Sequence, residues 1–259
     1  MDTCDHPIEL GSIMITMVEP HQGHQVDYNR WYERDHQYGG VMIGPYSLAV
    51  GRFVATKDLK ALRFPSDSPI APDGKGSYVA LYWILDGHHD DWWKWGRKQV
   101  FVLHEKGRMF PHRDHVHTQL YRFDGAVARD ADGVPTELAL DHRFPGMVAL
   151  WCRTPGDRDA AVAELKESVL PKVLDGSKAA MCLTFLPFPM PPNQPSGVPT
   201  SEDDEQRFLQ IWFCDVDPSQ MWDTFEGLPD AFGATAEVLL AAPFKGTVPG
   251  TDTYTDQLW

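Results

Sequence analysis

Histidine is unevenly spread along this 259-residue chain: ten of eleven lie at or before position 117, His142 follows, and none comes later. Imidazole titrates near neutrality and serves as base, acid or metal ligand, so the early part of the chain is where chemistry is expected. Two groupings matter. In the first, Tyr28, Trp31, Tyr32, Asp35 and His36 recur at helical offsets of three and four, on one stripe. Aromatic residues on such a stripe are ordinary core, but a buried Asp35 and His36 need partners. Asp35 beside His36 would orient the ring and raise its pKa, giving a proton carrier useful near pH 7. The bland alternative is a frayed helix end with His36 bonded to a carbonyl.

The second grouping is His112-Arg-Asp-His-Val-His117. On a strand, His115 and His117 would share a face, an arrangement seen in metal sites on sheets, with His36, His104 or Glu105 as a third ligand. Without metal they would form a second acid/base or oxyanion-stabilising pair, with His112 as a substrate contact; a solvated strand end is the plain alternative. Tyr32, Tyr46, Tyr82 and Trp83 are expected to line a pocket, since phenols can donate to a developing enolate or phenolate oxygen. Core packing is the competing reading for each.

The elements that must hold these residues read as a repeated order. Apolar, β-branched runs at 10–18, 46–55, 77–85 and 115–123 predict strands, with helices over 26–38 and from about 90 to 105. After an Asp/Gly/Pro-rich stretch, strands at 147–153, 179–188, 208–216 and 235–241 and helices at 157–174 and 218–229 repeat the βαββαβ order. The expected fold is α+β: two tandem ferredoxin-like units packed sheet to sheet as an α+β barrel. Residues 1–125 would form the first unit, carrying the site, and 126–145 a linker. A second, degenerate unit at 146–259 would carry a proline-rich insertion at 187–206. Each unit has one apolar sheet face that must be covered, and the other unit supplies the cover.

A net charge of −14 argues against a sequence-independent nucleic-acid binder and against an anionic membrane surface. No run approaches the roughly 18 apolar residues of a membrane span. The polar N-terminus does not resemble a secretory signal, and Cys4, Cys152, Cys182 and Cys214 form no CxxC pair. Free thiols and a cytoplasmic location are therefore expected. P-loop, GxGxxG, GxSxG and HExxH patterns do not occur, which disfavours nucleotide-dependent chemistry and common hydrolase machinery.

The segment Val26-Asp-Tyr-Asn-Arg-Trp-Tyr-Glu-Arg-Asp-His36, with the strand before it and Gly44-Pro45 after it, resembles the first-helix signature of the EthD family of dimeric α+β barrel proteins. The resemblance covers the first half; the second follows it only in element order, as a tandem-fused version. It implies a pocket between helices and sheet, in a superfamily of cofactor-free cyclases, decarboxylases, dehydratases, monooxygenases and isomerases, together with haem proteins.

The leading expectation is a cofactor-independent lyase- or isomerase-type enzyme, with no metal. It would act by His-mediated proton transfer on an aromatic or polyketide-like small molecule. His36 would be base or acid, Asp35 its partner, and His115 and His117 a second pair. A haem- or metal-dependent oxidoreductase using the 112–117 cluster is the first alternative, and a non-catalytic small-molecule-binding barrel the second. A homodimer is left open.

Overall fold

The computed structural model of the protein describes residues 7–188 and 205–259. Its strands are β1 (Leu10–Pro20), β2 (Ser47–Val54), β3 (Tyr78–Leu85), β4 (Arg113–Ala128), β5 (Gly146–Arg153), β6 (Ala179–Pro187), β7 (Arg207–Cys214) and β8 (Glu237–Gly246). The helices are α1 (Gln25–Trp31), α2 (Lys57–Ala61), α3 (His89–Glu105), α4 (Arg158–Glu164), α5 (Leu170–Leu174), α6 (Trp222–Glu226) and α7 (Leu228–Phe232).

The strands close into one antiparallel barrel in the order β1-β3-β2-β8-β5-β7-β6-β4. Each half contributes four neighbours, β2-β3-β1-β4 and β8-β5-β7-β6. The two sheets do more than face each other; their edges are hydrogen-bonded. One seam, β4 with β6, runs from Tyr121↔Pro187 to Ala128↔Met181. The other, β2 with β8, holds just Phe53↔Gly246 and Val54↔Lys245.

Strand alternation sorts side chains into two layers. Ile13, Ile15, Val79, Leu81, Trp83, Met147, Ala149, Ile211 and Phe213 fill the barrel interior. Alternate residues meet the helices outside, in a layer built around Tyr28, Tyr32, Tyr78, Tyr82 and Trp92 in the first half. The matching layer of the second half packs Trp212, Trp222, Phe225, Leu165 and Leu170.

The expected unit boundary at 125 falls inside β4, which continues to Ala128. Closure explains the length, because one strand pairs with β1 as far as Arg122 and with β6 from Tyr121 onward, across a register shift between Phe123 and Gly125. The expected end of the first helix at Gly39-Gly40 also moves. Helical turns of π type cover Tyr32–His36 and Tyr38–Met42, so the rod runs on from α1 through both glycines. The C-terminal segment docks, with Leu258 fully buried and Trp259 Nε1 donating to Glu19 Oε1 at 3.1 Å. Of the 187–206 insertion, residues 189–204 lie outside the described residues. No helix of the described residues is long and apolar enough to cross a membrane.

Candidate functional site

Aromatic residues on α1 bury the helix against β3, with Tyr28 and Tyr32 nearly inaccessible. The π turns that follow add a residue per turn and swing His36 inward; such insertions are frequent at functional sites. The imidazole of His36 stacks on Trp31, with centroids 4.5 Å apart at 21°, and meets Tyr32 edge-on at 5.4 Å. Gly40 makes the room: a Cβ there would lie 3.1 Å from the ring. Trp31 is fixed in turn by donating from Nε1 to the Arg108 carbonyl at 2.7 Å, and the Arg113 guanidinium lies 4.8 Å from its ring centre.

Burial, then the charges of Arg113 and His115, push the His36 pKa down to about 3. Burial and Arg113 push His115 down to about 4. Both rings are therefore neutral at physiological pH, and they sit close enough for a charge on one to oppose a charge on the other. His36 Nδ1 is buried without a hydrogen-bond partner among the described residues. The Tyr32 ring that meets His36 carries a hydroxyl in contact with that of Tyr82, and burial raises the Tyr32 pKa, so that phenol stays protonated. A neutral, half-buried base whose ring meets that of a phenol suits proton transfer that creates an oxyanion.

Asp35 does not orient His36. Its carboxylate forms a two-point ion pair with Nε and Nη2 of Arg108, which holds its pKa below the usual carboxylate range. Adjacent helical residues diverge by about 100°, and an accessible arginine captured the aspartate.

The His112–His117 grouping is dispersed. Opposite β1, Met17 pairs with His117 but Val18 pairs with His115, so a β-bulge at Val116 breaks the alternation and turns the two imidazoles to opposite sides. His115 joins His36 in the helix-facing layer. His117 enters the barrel interior, where Trp151 Nε1 donates to its Nε2 at 3.2 Å and Tyr121 Oη lies 3.0 Å away. Burial lowers the His117 pKa to about 4. His112 is exposed and stacks on His24 at 3.8 Å. Among the described residues no three His, Cys, Asp or Glu side chains gather as a metal site.

Of the remaining expected wall residues, Tyr32 and Tyr82 lie in the layer with His36. Trp83 does not: as Tyr82's neighbour on β3 it points into the barrel and donates to the Thr136 carbonyl at 3.2 Å. Tyr46, at φ 65°, stacks on His88 at 3.8 Å, at the start of α3. Sequence reasoning missed Arg52, Arg113 and Tyr78. Arg52 is 7% exposed, 4.4 Å from the Tyr78 ring centre and 4.6 Å from that of Tyr32. A signal existed, since Val50, Arg52 and Val54 alternate on the covered face of β2.

No family model matches the sequence, and no curated protein does. Solved structures do match in fold. An anthrone oxidase-like protein aligns with a TM-score of 0.55 at 9% identity, over 93% of this chain and 92% of its own. A chlorite dismutase-like protein gives 0.54 at 11% identity, over 97% and 100%. A monooxygenase-like protein from Fusobacterium nucleatum gives 0.50 at 7% identity, over 93% of each chain. The class is thereby defined: this chain has the ferredoxin-like α+β barrel fold, in a form that carries both units in one polypeptide. At these identities the likeness concerns the fold alone.

Proposed function

We propose that the protein is a cofactor-independent enzyme of EthD-like type, with a lyase- or isomerase-type reaction on an aromatic or polyketide-like small molecule. The proton is removed or delivered next to a carbonyl or phenol. The observation that carries this reading is that His36 and His115, both half-buried and neutral, lie in the helix-facing layer, where the His36 ring meets Tyr32 edge-on at 5.4 Å and its Nδ1 has no partner among the described residues. His36 is the proton carrier, His115 the second imidazole, and Tyr32 and Tyr82 donate to the oxygen on which charge develops. An anion forming beside His36 favours its protonated form and so strengthens it as a base during the reaction. Asp35, His112, Tyr46 and Trp83 have no part in this site, and His117 serves the barrel interior. A cytoplasmic location agrees with this reading.

The test is a screen of hydroxylated aromatic ketones and acids for conversion in the presence of a chelator and without added cofactor. On the compound that turns over, His36→Ala with an intact fold should lower turnover by about 10²- to 10⁴-fold. In the free enzyme the base form persists down to its low pKa, so kcat/KM should stay level from pH 8 to about 5 and fall below about 4. Unchanged turnover in the alanine variant, or activity that needs a metal, overturns the reading.

A further inference from the structure

A cation without a counter-anion stands beside the two imidazoles. Opposite β1, Pro20 pairs with Arg113 and Val18 with His115, so alternation along β4 turns both side chains to the helix-facing layer. Asp114 between them faces the other way, where Lys75 and His21 hold its carboxylate at 3.1 and 2.9 Å. The Arg113 guanidinium lies over the Trp31 ring at 4.8 Å, and the same indole stacks on His36. Arg113, His115 and His36 are each half-buried, so each keeps some contact with solvent.

The chain has 37 acidic residues against 23 Lys and Arg, so an arginine here seldom lacks a carboxylate. Arg30, Arg108, Arg129 and Arg153 each present the Nε–Nη2 edge to one. Arg63 is met by three backbone carbonyls instead. Arg113 has neither arrangement. Its one hydrogen bond among the described residues runs from Nη1 to the Phe110 carbonyl. Nε and Nη2 are left over, and neither is sealed from solvent. The acidic groups it feels are the Tyr28 and Tyr32 phenols, and burial raises the pKa of both, so neither supplies a charge. Burial also pulls the Arg113 pKa below its usual value. Such a cation costs free energy until an anion meets it, and a planar carboxylate matches the free edge with two bonds.

We propose that the substrate of the His36–His115 site is an aromatic acid whose carboxylate is received by Nε and Nη2 of Arg113 while the imidazoles meet its reacting end. The inference rests on the reading of His36 and His115 as proton carriers, and it makes Arg113 the residue that selects acids over neutral ketones. Two residues along a strand span about 6.6 Å, so acid and reacting group stand roughly one ring apart. Binding also tunes the base. The charges acting on His36 are those of Arg113, His115, Asp35 and Arg108, and on His115 those of Arg113 and Asp114. Arg113 acts most strongly on both and holds their pKa values down. A bound carboxylate offsets that charge, so both rings become stronger bases when an acid is in place.

Calorimetric titration of the full chain at pH 7 with 4-hydroxybenzoate and its neutral isostere 4-hydroxybenzamide tests the proposal. One equivalent of the acid should bind saturably, with the amide at least tenfold weaker. Arg113→Gln should bring the acid down to the affinity of the amide. Arg113→Lys keeps the charge and loses the fork, and should fall between. Should these variants not fold, proton NMR of the wild-type protein decides. The imidazole signal that disappears in His36→Ala should titrate at higher pH with the acid bound and be unmoved by the amide. Equal binding of acid and amide, no saturation at millimolar concentration, full affinity in Arg113→Gln, or a His36 signal indifferent to the acid overturns the proposal. Acid binding that needs Arg113, with turnover unchanged in His36→Ala, keeps the anion site and removes the catalytic reading. His36-dependent turnover confined to neutral ketones does the reverse.

Discussion

The helix-facing layers of the two halves occupy equivalent places in the barrel and are built from different chemistry. The second-half layer is a dry core, with Val148, Leu150, Cys152, Trp212, Cys214 and Phe225 all fully buried. Burial raises the pKa of all three cysteines there, so they remain thiols. The first-half layer keeps Tyr28, Tyr32, Tyr78, Tyr82, Arg52, His36 and His115 in the same kind of space. Burying such groups costs free energy, and several atoms, including Tyr78 Oη and His36 Nδ1, are left without partners. The contrast teaches a division of labour in which one layer stabilises the barrel and the other gives up stability for polar groups.

Truncating the dry layer is the strongest way to break that comparison. Phe225→Ala should cost about 3–5 kcal/mol, read from the denaturant midpoint, because the cavity has only packed neighbours around it. A loss under about 1 kcal/mol would mean that this layer is not the barrel's anchor. Acid comes next. His36, His115 and His117 have folded pKa values of about 3, 4 and 4, against 6.5 for a free imidazole. Below about pH 6.5 the unfolded chain takes up protons that the native protein refuses. Stability is therefore complete above that pH and declines as pH falls towards 4, on the order of 3 kcal/mol for His117 alone. Melting temperature followed between pH 7 and 4.5 should show the decline, and His117→Gln should flatten it. An identical profile in the variant would relocate the acid sensitivity.

Smaller effects sharpen the same contrast. Tyr78→Phe removes a buried hydroxyl that has no partner and retains the ring against Arg52, so the midpoint should stay within about 1 kcal/mol of wild type or rise. A clear loss would show that the hydroxyl is satisfied after all. The least change is expected from Asp35→Asn. Its ion pair with Arg108 is accessible to solvent, and neither melting temperature nor turnover should move appreciably. A fall in turnover comparable to that of His36→Ala would restore Asp35 as the histidine's partner.

Much of the fold was legible because it follows from short-range patterning. All eight strands are near their expected positions, since apolar runs bounded by turn residues leave few alternatives. The bounds that missed were set at longer range. β4 extends to Ala128 because β6 waits to pair with it, and the helical rod passes Gly39-Gly40 because Gly40 accommodates the His36 ring. Of the candidate site, His36, Tyr32 and Tyr82 could be read from spacing and residue type. His115 could be read as a residue but not as the neighbour of His36. Its separation from His117 depends on one extra residue in the ladder with β1, which no periodicity announces.

By itself, then, the sequence determined the repeated βαββαβ order and the concentration of imidazoles in the leading half, because composition and alternation act within a few residues. Tertiary structure alone decided which imidazoles share a layer, which arginine takes Asp35, and which arginine is buried among tyrosine rings. Those outcomes turn on a bulge and a π turn. Each is fixed by pairing between segments far apart in the chain, where a shift of one residue turns a side chain from one layer to the other.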